Sequence, residues 1–585
     1  MKAAIFPSVA TPQSEISDSR NFDGPAELPR IYIDTSLSAT PAPGKILAVR
    51  AGEDLSQAVS RASCGDIVQL QAGATFNKLV LPAKKCDDSH WIIIRTSVPD
   101  SKLPAEGTRL TPCYAGIPSL PGRPAFQCTS TENVLAKIEF RAKNGSGPVI
   151  LAPGANHYRL IGLEVTRTES PAVIYNLIGP DGGTADHIVF DRMWVHGTPQ
   201  SETVRGLMLA HIRYAAVVDS YFSDFHCVAK SGGCVDSQAI GGGVGDDPMG
   251  PLKIVNNFLE AAAESIELGG SEATATPTDI EIRRNHMFKP MIWMKGQPGF
   301  IGGVDGNPFI VKNLFELKNA QRVLFEGNIL ENSWGGFSQT GFAIVLTPKN
   351  QAIRTANVCP VCVVTDVTIR FSRISHVASG FQIANGVSSN GGVAKDGGRY
   401  SIHDVVVDDI RPDLYNGFGV FAQISMTPGA SESPRLHDLT IDHVTAFPSN
   451  SLFIIGGPRT DPRMSQLSIT NSIFTVGTQP IATTGGGVDK NCSALPGTKP
   501  AESMFRDCFA TYSFDHNVII GGGRGWPKAN PTPKNVAEVG FVSYRQGNGG
   551  EYNLLQDSKF KHTASDHKDV GADLGAIDQA TAGVQ

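Results

Sequence analysis

One pattern recurs through the middle of the chain: a short run of alternating apolar and polar residues, then a polar corner. It reads "YRLIGLEV" (158–165), "AAVVDSYF" (215–222), "LKIVNNFL" (252–259), "IEIRRNHMF" (280–288), "RVLFEGNIL" (322–330) and "QLSITNSIF" (466–474). The corners are Gly162, Asp191, Asp219, Asn256, Asn285, Gly327, Ser372, Asp404, Asp442, Asn471 and His516, 28 to 45 residues apart. A second short strand follows most of them, as in "ESIELGG" (264–270), "GFAIVLT" (341–347) and "SLFIIGG" (451–457). A two- or three-strand unit cannot bury its apolar face alone, and stacking the units solves that. A propeller blade needs about four strands and a repeat signature that this chain lacks. The pattern predicts stacked parallel coils, with loops of variable length inserted between strands.

Glycine, 62 of 585 residues, fits many tight corners. "GEDLSQAVSRASCGD" (52–66) places Leu55, Ala58, Val59 and Ala62 on one helical face. A helix over about 52–63 is expected to cap the N-terminal end of the stack, where strand edges would otherwise be open. Residues 1–44, rich in Pro and Ser, read as an extended arm, 484–550 as an irregular long-loop region with one more coil near His516, and 578–585 as a tail.

The net charge of −6 and the lack of a basic run argue against a nucleic-acid partner, and no apolar stretch is long enough for a membrane span. The first residues carry too short an apolar patch for a secretory signal. The ten cysteines argue for export all the same. In chain order they pair as 64/86, 113/128, 227/234, 359/362 and 492/508, each pair within 22 residues. Local bridges in a secreted or periplasmic protein are the expectation, with reduced buried thiols as the alternative. A monomer is expected.

The opening "AGEDLSQAVSRASCGDIVQLQAGATF" (51–76), the "IVNNF"-type coils and the end "DHKDVGADLGAI" (566–577) resemble the pectate-lyase-like superfamily. The resemblance implies an all-β, right-handed parallel β-helix over 45–577. It implies a polysaccharide lyase, hydrolase or epimerase, or a non-catalytic adhesion β-helix.

On such a stack, equivalent positions of successive coils lie about 4.8 Å apart, so a site is built down a column. Aligning "DSQAIGG", "ESIELGG", "NLFELKN" and "FAIVLTP" puts Asp236, Glu264 and Asn313 in one column. Glu267, Glu316 and Val345 fall in another, with Lys318 beside Glu316. Stacked acids repel and need a cation, a proton or a lysine between them. Oxygen ligands suit calcium. The coil "NNFLEAAAESIELGG" (256–270) also resembles alginate-lyase and chondroitinase-B-type enzymes. That likeness implies calcium held by Asn257, Glu264 and Glu267, but the lysine those enzymes carry after the glutamate pair is absent from "GGSEATA".

The expected metal set is therefore Asp236, Asn257, Glu264, Glu267 and Asn313. The expected catalytic set is Lys318 as a base of lowered pKa, with Glu316, Arg284 and His286. Arg283, Arg322, Trp293, Lys295 and Gln238 are the expected contacts to an acidic polysaccharide. The first reading is calcium-assisted β-elimination. A hydrolase using paired carboxylates, with Asp246 and Asp247 as one option, is the second. A non-catalytic glycan-binding β-helix is the third.

Overall fold

The computed structural model describes residues 21–141, 145–228, 234–337, 339–351, 357–389, 391–428, 434–487, 489–494 and 500–585. Its strands form a parallel β-helix built from three ladders. The first ladder holds strands such as Leu252–Val255 and Thr278–Arg283, and the second holds Phe258–Ala261 and His286–Phe288. The third is a parallel sheet of twelve strands that includes Gln238–Gly242, Glu264–Leu268, Phe315–Leu317 and Phe342–Leu346. The right-handed sense expected from the sequence is the one that crossovers between parallel strands take.

Alternation decides which side chains enter the core. In the third ladder Ile240, Ile266, Phe315, Ile344 and Phe381 stand in register and are fully buried. Their neighbours one residue on point outward, so one face of each strand makes the core and the other makes the surface.

The corner between the first and second ladders turns on a residue with left-handed φ: Asn256 (60°), Arg284 (55°), Gly327 (64°), Asn471 (53°) and His516 (55°). The residue that follows satisfies the backbone inside the corner. Asn257, Asn285 and Asn328 form a ladder, with Asn257 Nδ2 donating to Asn285 Oδ1 at 3.0 Å and Asn285 Nδ2 to Asn328 Oδ1 at 3.1 Å. Asn517 repeats the device by accepting from Ser472 N at 3.1 Å. Buried backbone groups that the strands cannot pair are thus satisfied by side chains.

A helix spans Leu55–Arg61, capped by Asp54, with Leu55, Ala58 and Val59 in the main core. Of the N-terminal arm, residues 21–44 are described. Asp23 pairs with Arg370 at 2.6 Å and His403 at 3.0 Å, and Arg30 N donates to Asp279 Oδ1 at 2.9 Å. The arm therefore runs along the first ladder. In the irregular region, Tyr512–Asp515 and Val518–Ile520 add a further coil. The helix Leu574–Thr581 crosses the boundary expected at 577/578 and rests against the ladder strands Val364–Val377 and Gly397–Ile410.

All five disulfides join the expected neighbours: Cys64–Cys86, Cys113–Cys128, Cys227–Cys234, Cys359–Cys362 and Cys492–Cys508. Among the described residues no helix is long and apolar enough to cross a membrane.

Candidate functional site

The outward column of the third ladder runs Glu267, Glu316, Val345, Gln382 and Gln423 in register. The stacking of Glu267 on Glu316, and of Val345 after them, is the one read from sequence. A groove of about 480 Å³ follows this column, lined by Glu316, Lys318, Lys349, Gln382 and Gln423.

Lys318 joins the two stacked glutamates. Its Nζ lies 2.5 Å from Glu267 Oε1 and 3.1 Å from Glu316 Oε1. Burial alone would lower its pKa, but the Glu267 and Glu316 carboxylates more than reverse this and hold it well above the ordinary lysine value. Lys318 is therefore a fixed ammonium in this arrangement, and the expected base of lowered pKa is corrected. Glu267 also takes a hydrogen bond from Gln238, whose Oε1 accepts from Arg205 at 2.5 Å. Asn313 Nδ2 donates to Glu316 at 2.8 Å.

The register corrects the other column. Glu264 stands opposite Gln238, not Asp236. Asp236 precedes the strand and pairs with Lys312, whose Nζ is also 3.7 Å from Glu264 Oε1. Glu264 is fully buried, and among the described residues neither carboxylate oxygen has a hydrogen-bond partner. Burial, then the charge of Glu267, pushes its carboxyl well above the usual range. Lys289 is fully buried too; its Nζ donates to Asn313 O at 2.5 Å, and burial pushes its pKa down to about 7.

The calcium set does not assemble as expected. Asn257 is spent in the corner ladder, where it accepts from Ser220 N at 2.9 Å and donates to Val217 O at 2.9 Å. The unpartnered oxygens of Glu264 and Asn313 could offer ligands. Lys312 and Lys318, however, already stand against Asp236, Glu264, Glu267 and Glu316. A dication here would face two ammonium groups at contact distance, so the residues present do not fit calcium.

The other expected residues lie elsewhere. Arg284 donates to the carbonyls of Ala580 and Ala582, 2.7 Å each, and so holds the C-terminal helix. His286, on the second ladder, pairs with Glu331 at 2.6 Å. On the first ladder Arg283 pairs with Glu281 and Glu326, and Arg322 makes a two-pronged pair with Asp279 at 2.8 and 3.0 Å. Trp293 is buried edge-on to Phe309 and His226, so it is packing rather than a sugar platform, and Lys295 is exposed on its loop. Asp247 pairs with His211 at 2.8 Å.

Sequence reasoning missed Lys349. It is half-buried in the groove, and its backbone N–H donates to Lys318 O at 3.1 Å. Burial, then the charge of Lys318, lowers its pKa. Among the described residues no carboxylate is within ion-pair distance of its ammonium. Extending the aligned column one residue past "FAIVLTP" would have found it.

No protein-family model and no curated protein matches the chain. Solved structures match remotely. Pectate lyase Pel9A is 12% identical with a TM-score of 0.39, covering 92% of this chain and 97% of its own. The catalytic domain of a GH87 alpha-1,3-glucanase is 12% identical with a TM-score of 0.48, over 84% and 70%. The PL6 polysaccharide lyase Pedsa3628 from Pseudopedobacter saltans is 11% identical with a TM-score of 0.43, over 83% and 96%. Likenesses this remote carry no argument about the chemistry of this chain.

Proposed function

We propose that this chain is an extracellular enzyme that cleaves an acidic polysaccharide by β-elimination in the third-ladder groove. The observation that carries the reading is Lys349, a lysine of lowered pKa standing in the groove beside the fixed ammonium of Lys318. β-Elimination from a uronate needs positive charge at the carboxylate, a base for the proton on C5, and a proton for the leaving oxygen. Lys318 and Lys312 supply positive charge where a cation would otherwise be needed. Lys349, when uncharged, takes the C5 proton, the electron pair forms the C4–C5 double bond, and the C4–O bond breaks. The new Lys349 ammonium returns the proton to the leaving oxygen, and the amides of Gln382 and Gln423 bind sugar hydroxyls along the groove. The five disulfides support an oxidising compartment.

Hydrolysis is the second reading, favoured by Glu267, whose carboxyl burial pushes above the ordinary glutamate value. The test is a panel of uronate polymers and neutral glucans. A lyase generates the ultraviolet absorbance of an unsaturated uronate, and Lys349→Gln lowers that rate by roughly 10²–10⁴-fold. Reducing ends without that absorbance make the enzyme a hydrolase. Retention of glycan with neither product makes it a binding protein.

A further inference from the structure

Away from the groove, three potential metal ligands converge at the N-terminal end of the first ladder. His157 and His187 lie on adjacent coils, where Asn156 stands opposite Asp186 and Tyr158 opposite Ile188. Both have left-handed φ, 54° and 53°. Their rings stack with centroids 4.5 Å apart and planes within 6°. Both Nε2 atoms face one oxygen of Asp88, at 3.2 and 3.9 Å. Asp88 itself is 84% exposed.

The surroundings decide which ring nitrogen is free. His187 Nδ1 is hydrogen-bonded to Asp186, whose other oxygen pairs with Arg213 at 2.7 Å. A proton on Nδ1 leaves the Nε2 lone pair aimed toward Asp88. An outer carboxylate that fixes the imidazole tautomer is the usual support of a metal-ligating histidine.

We infer that Asp88, His157 and His187 form a site for a divalent transition-metal ion of the zinc or copper kind. Two imidazoles and one carboxylate suit these ions and not calcium, which takes oxygen ligands. Three protein ligands leave further positions for solvent. Asp88 lies on the segment between Cys86, bridged to Cys64, and the strand Ile92–Thr96. A bound ion would tie this segment to two coils. It would also draw both Nε2 atoms onto one centre and tilt the rings out of their stack. Tyr214, stacked on His187 at 4.4 Å, and Trp91, edge-on to His157 at 5.0 Å, are placed to sense the change.

The test uses the full chain stripped of metal, titrated with Zn²⁺ by calorimetry and with Co²⁺ by visible absorption. One equivalent is expected to bind, with Co²⁺ giving ligand-field bands of low coordination number and Trp fluorescence changing on saturation. Asp88→Asn, at an exposed position, and His187→Gln should each weaken binding by at least the roughly 10- to 100-fold that loss of an outer partner alone costs. His211→Gln, at the separate pair with Asp247, should leave it unchanged. Lack of saturable binding, or binding equal in wild type, Asp88→Asn and His187→Gln, would overturn the assignment.

Discussion

The ammonium of Lys318 reaches one coil down the stack to lie 2.5 Å from Glu267 Oε1 while also contacting Glu316 on its own coil. Both glutamates are almost fully buried, so the lysine is what allows two acids to stack. Removing one partner of a buried ion pair leaves an uncompensated charge. Lys318→Met is therefore expected to lower stability by about 3–5 kcal/mol, read from denaturant unfolding. Adding Glu267→Gln to that variant should restore part of the loss. An unchanged midpoint in the single variant would mean that the lysine does not hold the column together.

On the proposed reading, elimination in this groove does not require calcium. Lys312 and Lys318 already stand against the carboxylates that calcium would have needed. Product formation on the best uronate polymer is expected to be the same with EGTA and with added calcium. Activity lost to EGTA and restored by calcium alone would reinstate the dication.

The coils, their corners and the disulfide pairs were legible because each rests on a local pattern: alternation, a polar corner, neighbouring cysteines. The stacking of Glu267 on Glu316 was legible for the same reason. The Asp236 column was misread by two residues. "DSQAIGG" runs into a third glycine, so its pattern fits "ESIELGG" in two registers, and a shift of two keeps every side chain on its original face. Arg283, Arg284 and His286 were read as neighbours of the groove because they are close in sequence. Three strands per coil point three ways, which sends them to other faces. Lys289 and Lys312 sit on the excursion between Phe288 and Phe315, and no strand pattern says where such a loop returns.

Asn257 separates a structural role from a metal role. It makes four hydrogen bonds inside the corner. Asn257→Ala should cost about 1–3 kcal/mol through the backbone groups left unpaired, and should leave the Michaelis constant for substrate unchanged. A stable variant with weakened substrate binding would move Asn257 back into the site.

Lys289 gives the protein a pH signature. Burial holds its pKa at about 7 in the folded protein, against about 10.5 for an ordinary lysine. Between those limits the unfolded chain holds a proton that the folded chain lacks, so stability rises with pH, by about 1.4 kcal/mol per unit for this one group. Below pH 7 both states are protonated and the slope vanishes, leaving the full cost of burying the charge. Lys289→Met removes the titrating group. Relative to that variant, wild type should therefore be least stable below pH 7 and should gain on it steadily from pH 7 toward pH 10. Denaturant midpoints of both proteins across this range check it, and parallel curves would show that burial does not lower the Lys289 pKa.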